Sequence, residues 1–172
     1  GMGRIGQAVA RRALGFDMQV IYHNRSRLPE DKEAACRARW VDKQTLLREA
    51  DFLVLLLPYS AESHHIIGAA ELAQMKPTAH LINVARGGIV DDAALISALR
   101  QRRLSGAALD VFEGEPKLNP GFLELDNVTL TPHIGSGSRA TRMAMAMTAA
   151  NNLIAALSGQ RPPNLLNPDA WK

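Results

Sequence analysis

Three glycines open the sequence with the spacing G-x-G-x-x-G, in the segment GMGRIGQAVARRALG. In this motif Gly1 allows a tight turn, Gly3 lets the backbone approach a pyrophosphate, and Gly6 allows close packing of the helix that follows. The amino terminus of that helix offers N–H groups and partial positive charge to a phosphate. The spacing indicates a dinucleotide-binding loop, with Arg4 placed to add a charge. A glycine-rich turn without a ligand is the alternative reading of the motif.

The segment YHNRSR follows the next predicted strand, where an NAD site usually places an acidic residue on the adenosine ribose. His23, Asn24, Arg25 and Ser26 stand there instead, followed by Arg27. A carboxylate would repel a 2′-phosphate, whereas arginine and a serine hydroxyl bind it. The segment therefore favours NADP(H) as the cofactor, with NAD(H) as the second choice. A solvated basic turn is the alternative.

Two further side chains that could take part in a reaction stand just beyond predicted strands. They are Arg86 in NVARGG and His133 in TPHIGS. A guanidinium holds a carboxylate through two parallel hydrogen bonds and polarises a neighbouring carbonyl. Histidine is the usual acid–base group near neutral pH, although a lone histidine is more often structural. Glu113 and Glu115, both in EGEP, are candidates for a carboxylate that would orient this imidazole and raise its pKa.

The elements that must position these residues are short apolar runs alternating with helical patterns. Runs that are apolar on both faces suit buried parallel strands, so the alternation predicts an α/β fold with a doubly wound parallel sheet. Ligands bind at the carboxyl ends of such strands. The predicted strands are Met18–His23, Asp51–Pro58, Ala79–Ala85, Gly106–Phe112 and Val128–Pro132. The predicted helices are Ile5–Gly15, Lys43–Ala50, Ala69–Met75, Asp92–Arg102 and Ser138–Leu157.

Length and composition fit one globular domain over residues 1–159, followed by a proline-rich tail over residues 160–172. Apolar residues make up 47% of the chain, and no apolar stretch reaches the length of a membrane span. A single cysteine, Cys36, excludes an internal disulfide and favours a cytoplasmic protein. The net charge of +3 is spread without a long basic tract, so we expect no nucleic-acid partner. We identify no metal-ligating set.

Five ordered segments make the chain resemble the nucleotide-binding domain of the D-isomer-specific 2-hydroxyacid dehydrogenases over nearly its whole length. They are GMGRIG, LLREADFLVLLLPYSAESHHIIG, MKPTAHLINVARGGIVDDAALISAL, GAALDVFEGEP and NVTLTPHIGSGS. The glyoxylate/hydroxypyruvate and 2-ketogluconate reductases are the most similar branch. The resemblance implies a Rossmann-type sheet that lacks its first strand and a partial chain that lacks the family's substrate-binding domain. We therefore expect no activity from the chain alone, and an inert fragment without a stable fold is the alternative.

The resemblance also implies a function, which is NADPH-dependent reduction of a small 2-keto acid to the D-2-hydroxy acid. Glyoxylate, hydroxypyruvate and 2-ketogluconate are the expected substrates. In this reaction Arg86 grips the keto acid, His133 protonates the carbonyl oxygen, and Glu115, directly before a proline, supports the histidine. A homodimer is expected, because family members commonly dimerise through this domain. The further cofactor contacts that the resemblance implies are Arg4, Ile5, Leu57, Pro58, Ser63, Val84, Ala85, Asp110, Gly135 and Ser136.

Two other functions are compatible with the same segments. A 3-phosphoglycerate dehydrogenase-like enzyme is one, although such enzymes usually prefer NAD, which HNRSR opposes. A dinucleotide-sensing, corepressor-like module without catalysis is the other. The set of Arg86, Glu115 and His133 favours the enzyme over this module.

Overall fold

The computed structural model describes residues 1–171, and within them strands alternate with helices. Gly3 precedes the first helix, and Asp42, Asp91 and Ser138 cap three others by accepting hydrogen bonds from backbone N–H groups three residues ahead. The strands are β1 (Val20–Tyr22), β2 (Ala38–Trp40), β3 (Phe52–Leu55), β4 (His80–Asn83), β5 (Gly106–Leu109) and β6 (Val128–Leu130). The α-helices are α1 (Arg4–Ala13), α2 (Glu30–Cys36), α3 (Lys43–Glu49), α4 (Ala69–Leu72), α5 (Asp92–Arg100) and α6 (Arg139–Leu157).

The strands form two parallel sheets, one in the order β3-β4-β5-β6 and one of β1 and β2. In the larger sheet Leu53 pairs with Leu81, and Leu81 pairs with Ala107, so that buried side chains line up across the strands. Parallel pairing brings the carboxyl ends of β3, β4 and β5 to one edge. The predicted α/β class and parallel sheet are confirmed.

A groove of about 580 Å³ separates β1 from β3. Within residues 1–171, each of these strands pairs along one side only, β1 with β2 and β3 with β4. Gly1 lines the groove; its amino nitrogen lies 3.1 Å from the carbonyl oxygen of His23, and a Cβ on it would lie 2.6 Å from the carbonyl carbon of Leu56.

Two separate hydrophobic cores follow from the two sheets. The larger core surrounds the four-stranded sheet and includes the fully buried Leu81, Leu95, Leu99 and Phe122. The smaller core lies between α1, α2 and β1, where the buried residues are Met2, Ala10, Tyr22 and Cys36. The amino-terminal βαβ segment is therefore stabilised mainly by its own small core.

Three features differ from the prediction. Helix α2 and strand β2 were missed, because α2 reads EDKEAAC, without a periodic apolar face, and β2 reads ARW, without an apolar run. The predicted strands were too long, since for example β3 covers only four residues of the apolar run that precedes Pro58. Helix α4 ends at Leu72 rather than Met75.

The chain divides into two compact units, Gly1–Pro132 and His133–Lys172. In the second unit α6 confirms the predicted long helix, and no residue of α6 is buried. Asn152 receives a hydrogen bond from the Asn164 backbone and so fastens the tail to the helix. None of the helices in the described residues has the length and apolar character that a membrane span requires.

Candidate functional site

The glycine loop has the shape that its sequence predicts. A Cβ on Gly6 would overlap the carbonyl oxygen of Gly1, and a Cβ on Gly1 would lie 2.6 Å from the carbonyl carbon of Leu56. Gly3, by contrast, has open space around its Cβ position, directly before α1. The first turn of α1 carries no acidic side chain, so no carboxylate on that turn competes with a bound anion for its N–H groups. This loop can accept an anionic group above Gly3.

The segment after β1 separates into residues that hold the loop and residues that face solvent. Asn24 Oδ1 accepts a hydrogen bond from the Met2 N–H at 2.8 Å, and His23 Nδ1 donates to the Val41 carbonyl at 2.9 Å. These two predicted cofactor residues therefore position the glycine loop and β1. Arg25 and Ser26 are exposed, at the carboxyl end of β1 beside the loop.

Arg27, the second arginine of this segment, is engaged elsewhere. It makes two hydrogen bonds with the buried carboxylate of Glu33, at 2.9 and 2.7 Å, and the Tyr22 hydroxyl donates to the same carboxylate at 2.6 Å. These bonds to Arg27 and Tyr22 lower the pKa of Glu33 to about 2. The contacts of Arg27 therefore do not support a role in binding a 2′-phosphate, and the prediction of that role rests on Arg25.

Leu57 and Pro58 follow the carboxyl end of β3, and Ser63 lies inside the turn that comes after them. Ser63 is buried; its hydroxyl accepts from the Ser60 N–H at 2.7 Å and lies 3.0 Å from the Pro58 carbonyl oxygen. Its hydroxyl therefore has a structural partner on each side. The predicted contact of Ser63 with a cofactor stays a prediction.

Arg86 stands in a loop that the buried side chain of Asn83 organises at the end of β4. The Asn83 amide donates to the Arg86 carbonyl at 3.1 Å, while its carbonyl oxygen accepts from the Ala85 N–H at 3.1 Å. The Arg86 guanidinium is exposed and donates to the Ala85 carbonyl at 2.6 Å. Val84 is 43% exposed, whereas Ala85 is buried, so Val84 is the apolar side chain that this loop offers to a ligand.

Glu115 stands in the neighbouring loop, which follows β5. Gly87 joins the two loops, because any Cβ on Gly87 would overlap the Phe112 carbonyl and lie 2.7 Å from the Glu113 nitrogen. Glu115 Oε1 accepts a hydrogen bond from the Phe112 N–H at 2.9 Å. Glu113 takes a different direction and accepts from Nε2 of His65 at 3.1 Å. The two glutamates of EGEP therefore have distinct contacts, and the catalytic role of Glu115 stays a prediction.

Asp110, at the end of β5, is buried beneath this edge. Its Oδ1 accepts a hydrogen bond from the Thr131 hydroxyl at 2.6 Å, and its backbone N–H donates to the Asn83 carbonyl at 3.0 Å. Asp110 thus ties the ends of β4, β5 and the segment after β6 together. Its predicted contact with a carboxamide stays a prediction.

His133, Gly135 and Ser136 belong to the second compact unit, whereas Arg86 and Glu115 belong to the first. His133 is exposed and has a left-handed backbone with φ 52°. A tight turn follows it, in which the Gly137 N–H donates to the Ile134 carbonyl at 2.7 Å. The assembly of Arg86, Glu115 and His133 into one catalytic set stays a prediction from the resemblance.

One cluster escaped the sequence reasoning. His64, His65 and Glu113 lie together although His65 and Glu113 are separated by 48 residues, and buried Asp92 accepts from the Glu113 N–H at 3.3 Å. Burial raises the pKa of Asp92 to about 6. The only signal in the sequence is the histidine pair in SAESHHIIG, whose partners depend on the fold.

Comparison with known proteins identifies the source of these features. A family model described as D-isomer specific 2-hydroxyacid dehydrogenase, NAD binding domain, matches residues 1–135. Over 169 residues the chain is 52% identical to a glyoxylate reductase of Thermococcus litoralis, covering 98% of this chain and 51% of that protein. It is 51% identical to glyoxylate/hydroxypyruvate reductase B of Pectobacterium atrosepticum, covering 100% of this chain and 54% of that protein.

A solved structure gives the same answer. The crystal structure of an NADPH-dependent glyoxylate/hydroxypyruvate reductase from Sinorhizobium meliloti, in complex with NADP and malonate, superimposes with a TM-score of 0.85 at 36% identity, covering 92% of this chain and 48% of that one. The chain thus spans about half the length of the relatives that it matches. With its glycine loop, parallel sheet and ordered segments, the chain belongs to the D-isomer-specific 2-hydroxyacid dehydrogenase family and matches that family's NAD-binding domain.

Proposed function

We propose that this chain supplies the nucleotide-binding and catalytic residues for NADPH-dependent reduction of a small 2-keto acid to the D-2-hydroxy acid. The observation that carries the proposal is the contact between the Arg86 loop and the Glu115 loop through Gly87, at the carboxyl ends of β4 and β5. The names of the relatives support glyoxylate and hydroxypyruvate as substrates. The resemblance adds 2-ketogluconate.

The chemistry requires a cation for the substrate carboxylate and a proton for the carbonyl oxygen. Arg86, exposed on its loop, binds the carboxylate and polarises the adjacent carbonyl. A nicotinamide cofactor held at the glycine loop would supply the hydride for this reduction. His133 donates its proton to the oxygen as the hydroxyl forms. Glu115 stabilises the protonated imidazole and holds it in the donating orientation.

The preference for NADPH rests on the residues after β1. Arg25 and Ser26 are exposed beside the glycine loop, and the nearby acid Glu33 is already paired with Arg27. A 2′-phosphate placed there meets a cation rather than an uncompensated carboxylate. The Sinorhizobium meliloti relative is named NADPH-dependent and was crystallised with NADP. Both observations support NADP(H) as the cofactor, with NAD(H) bound more weakly.

A chimera tests the proposed reaction. The chain replaces the matching half of the Pectobacterium atrosepticum reductase, whose remaining half supplies a substrate domain. We expect the chimera to oxidise NADPH in the presence of glyoxylate, hydroxypyruvate or 2-ketogluconate. The chain alone should show no turnover, because the active site would lack the opposing wall that excludes water. A folded chimera that binds NADPH but reduces none of the three acids contradicts the proposal, and the parent reductase is the positive control.

The surface of α6 supports a homodimer. Met143, Met145 and Met147 are each more than half exposed along this helix, together with Leu153 and Ile154. Flexible methionines adapt to a partner surface, and exposed apolar patches mark association sites. We propose that the complete protein dimerises through this domain and resides in the cytoplasm, where Cys36 stays reduced. Sedimentation of the chimera at micromolar concentration tests the dimer, and a strictly monomeric species contradicts it.

A further inference from the structure

A cluster of two histidines and one glutamate lies outside the residues assigned to the cofactor and the keto acid. One ligand atom from each of His64, His65 and Glu113 lies within 4.8 Å of the other two. The two imidazole rings stack with their centroids 3.8 Å apart, and Nε2 of His65 lies 3.1 Å from Oε2 of Glu113. We propose that this His-His-Glu cluster binds a divalent cation of the zinc class.

The backbone at His65 brings the two rings to the same side. Adjacent residues of an extended chain point their side chains in opposite directions. His65 has a left-handed backbone with φ 50°, between an extended His64 and the segment that follows. Its N–H donates to the Gly88 carbonyl at 2.8 Å, which holds this uncommon conformation in place. The backbone of this loop therefore holds the two rings side by side.

His64 is oriented by a second contact. The Tyr59 hydroxyl lies 3.1 Å from Nδ1 of His64, so Nε2 is the nitrogen left for a metal. Gly88 makes room for this pair, because a Cβ there would lie 3.0 Å from Cε2 of Tyr59 and 3.5 Å from Nδ1 of His64. Metal-binding histidines commonly use their second ring nitrogen in such a contact, which fixes the orientation of the ring.

The charges around the cluster favour a cation. The exposed Glu113 carboxylate faces His65, and buried Asp92 accepts a hydrogen bond from the Glu113 backbone. A bound dication would offset this concentration of negative charge.

The ligand set selects the class of metal. Two imidazoles and one carboxylate suit zinc and its neighbours cobalt, nickel and copper, and they leave one position open to water. Donor atoms around one tetrahedral zinc lie about 3.3 Å apart. The three ligand atoms, which now lie within 4.8 Å of one another, must therefore move closer, and the two stacked rings must tilt so that both point at the ion. The side chains of His65 and Glu113 are 35% and 42% exposed, which leaves them free to make this movement. The bound metal would link the loop after β3 to the loop after β5.

The test is calorimetric titration of the chimera described above with zinc chloride, and separately with cobalt chloride while the visible spectrum is recorded. We expect one tightly bound ion per chain and cobalt bands typical of a four-coordinate site. His65→Asn and Glu113→Gln should each weaken binding by about tenfold or more. Asparagine suits the left-handed backbone at position 65, and Glu113 is exposed, so both variants should fold.

His80→Gln is the matched control, because His80 opens β4 at the opposite edge of the sheet from the cluster. This variant should bind zinc as tightly as the unchanged chimera. Absence of binding to the unchanged chimera overturns the proposal. Equal binding by His65→Asn, Glu113→Gln and the unchanged chimera also overturns it, since the ion would then be held elsewhere. Circular dichroism of each variant shows that the fold is retained.

Discussion

Gly87 and Phe112 are in direct backbone contact, and this contact leaves no volume for a side chain at position 87. The pair joins the loop that carries Arg86 to the loop that carries Glu115. Two residues with different proposed roles are therefore set at their mutual spacing by one glycine. In such a place even a methyl group must displace backbone rather than a flexible side chain.

Gly87→Ala should accordingly damage both stability and catalysis. We expect a loss of about 1–3 kcal/mol in the free energy of unfolding, as for other overpacked sites. In the chimera kcat should fall more than cofactor affinity, because the displaced loops carry the catalytic residues. Chemical denaturation and steady-state kinetics measure the two effects. Gly15→Ala is the matched control, since a Cβ on Gly15 meets nothing within 4 Å. Equal, small effects of both substitutions would contradict the proposal that Gly87 sets the spacing of the Arg86 and Glu115 loops.

The assignment of Arg25 predicts a selective change in cofactor affinity. Arg25→Ala should weaken NADPH binding by about 1–3 kcal/mol, as expected for loss of a charge-assisted contact. NADH binding should change little, because NADH lacks the 2′-phosphate. Quenching of protein fluorescence during titration with each cofactor provides the measurement.

Arg27→Ala provides the contrast for this experiment. Because Arg27 is held by Glu33, its removal should lower stability while the ratio of NADPH to NADH affinity is kept. A parallel loss of both cofactors in Arg25→Ala would refute the role given to Arg25.

The proposed proton donor can be tested in the chimera. His133→Gln should lower turnover by roughly a hundredfold or more, while NADPH binding is nearly kept. Glu115→Gln should move the alkaline limit of the pH–rate profile for reduction to lower pH, because His133 would lose the carboxylate that stabilises its charged, proton-donating form. Full turnover by His133→Gln at neutral pH would mean that another group is the acid. An unchanged pH–rate profile for Glu115→Gln would contradict the proposed pairing of Glu115 with His133.

Asp92 predicts an unusual dependence of stability on pH. Burial raises its pKa in the folded protein to about 6, from a usual value of 3.8. The folded state therefore binds the proton more tightly than the unfolded state does, and the cost of ionising Asp92 is fully present above about pH 6. That cost disappears as the pH falls through 6 towards 3.8.

Asp92→Asn should remove this cost. We expect the variant to be more stable than the unchanged chain by about 1–3 kcal/mol at pH 7.5, with the difference vanishing near pH 4. Urea denaturation at several pH values provides the measurement. The unchanged chain at the same pH values is the reference, and the side-chain oxygen of the introduced asparagine can still accept from the Glu113 N–H. A destabilised Asp92→Asn at pH 7.5 would show that the charged carboxylate is needed.

The sequence predicted those parts of the fold that depend on local patterns. The continuous apolar runs around Leu53, Leu81 and Ala107 indicated buried parallel strands, and the structure confirms them. Strand β2 was missed because its three residues, Ala38–Trp40, include an exposed arginine and owe their conformation to pairing with β1. The conformation of such a short strand is determined by pairing with its neighbour, and the local sequence pattern does not reveal it.

The candidate site likewise contains some features that local sequence patterns predict and others that only the fold brings together. Arg86 and the glycine loop were recognisable because their spacing in the sequence reflects local geometry. The pairing of Arg27 with Glu33 was not, because six residues and a turn separate them and either side chain alone suits a solvated surface. The approach of His65 to Glu113 bridges 48 residues, so only the folded chain reveals it.

The two separate cores have a consequence for local unfolding. Strand β1 is stabilised by the small core of Met2, Ala10, Tyr22 and Cys36, whereas β4 is stabilised by the larger core. Amides of β1 should therefore exchange with deuterium through an opening of much lower free energy than global unfolding, while β4 exchanges only in the global event. A dinucleotide held by the glycine loop and Val84 would contact both regions, so its binding should slow exchange in β1 most.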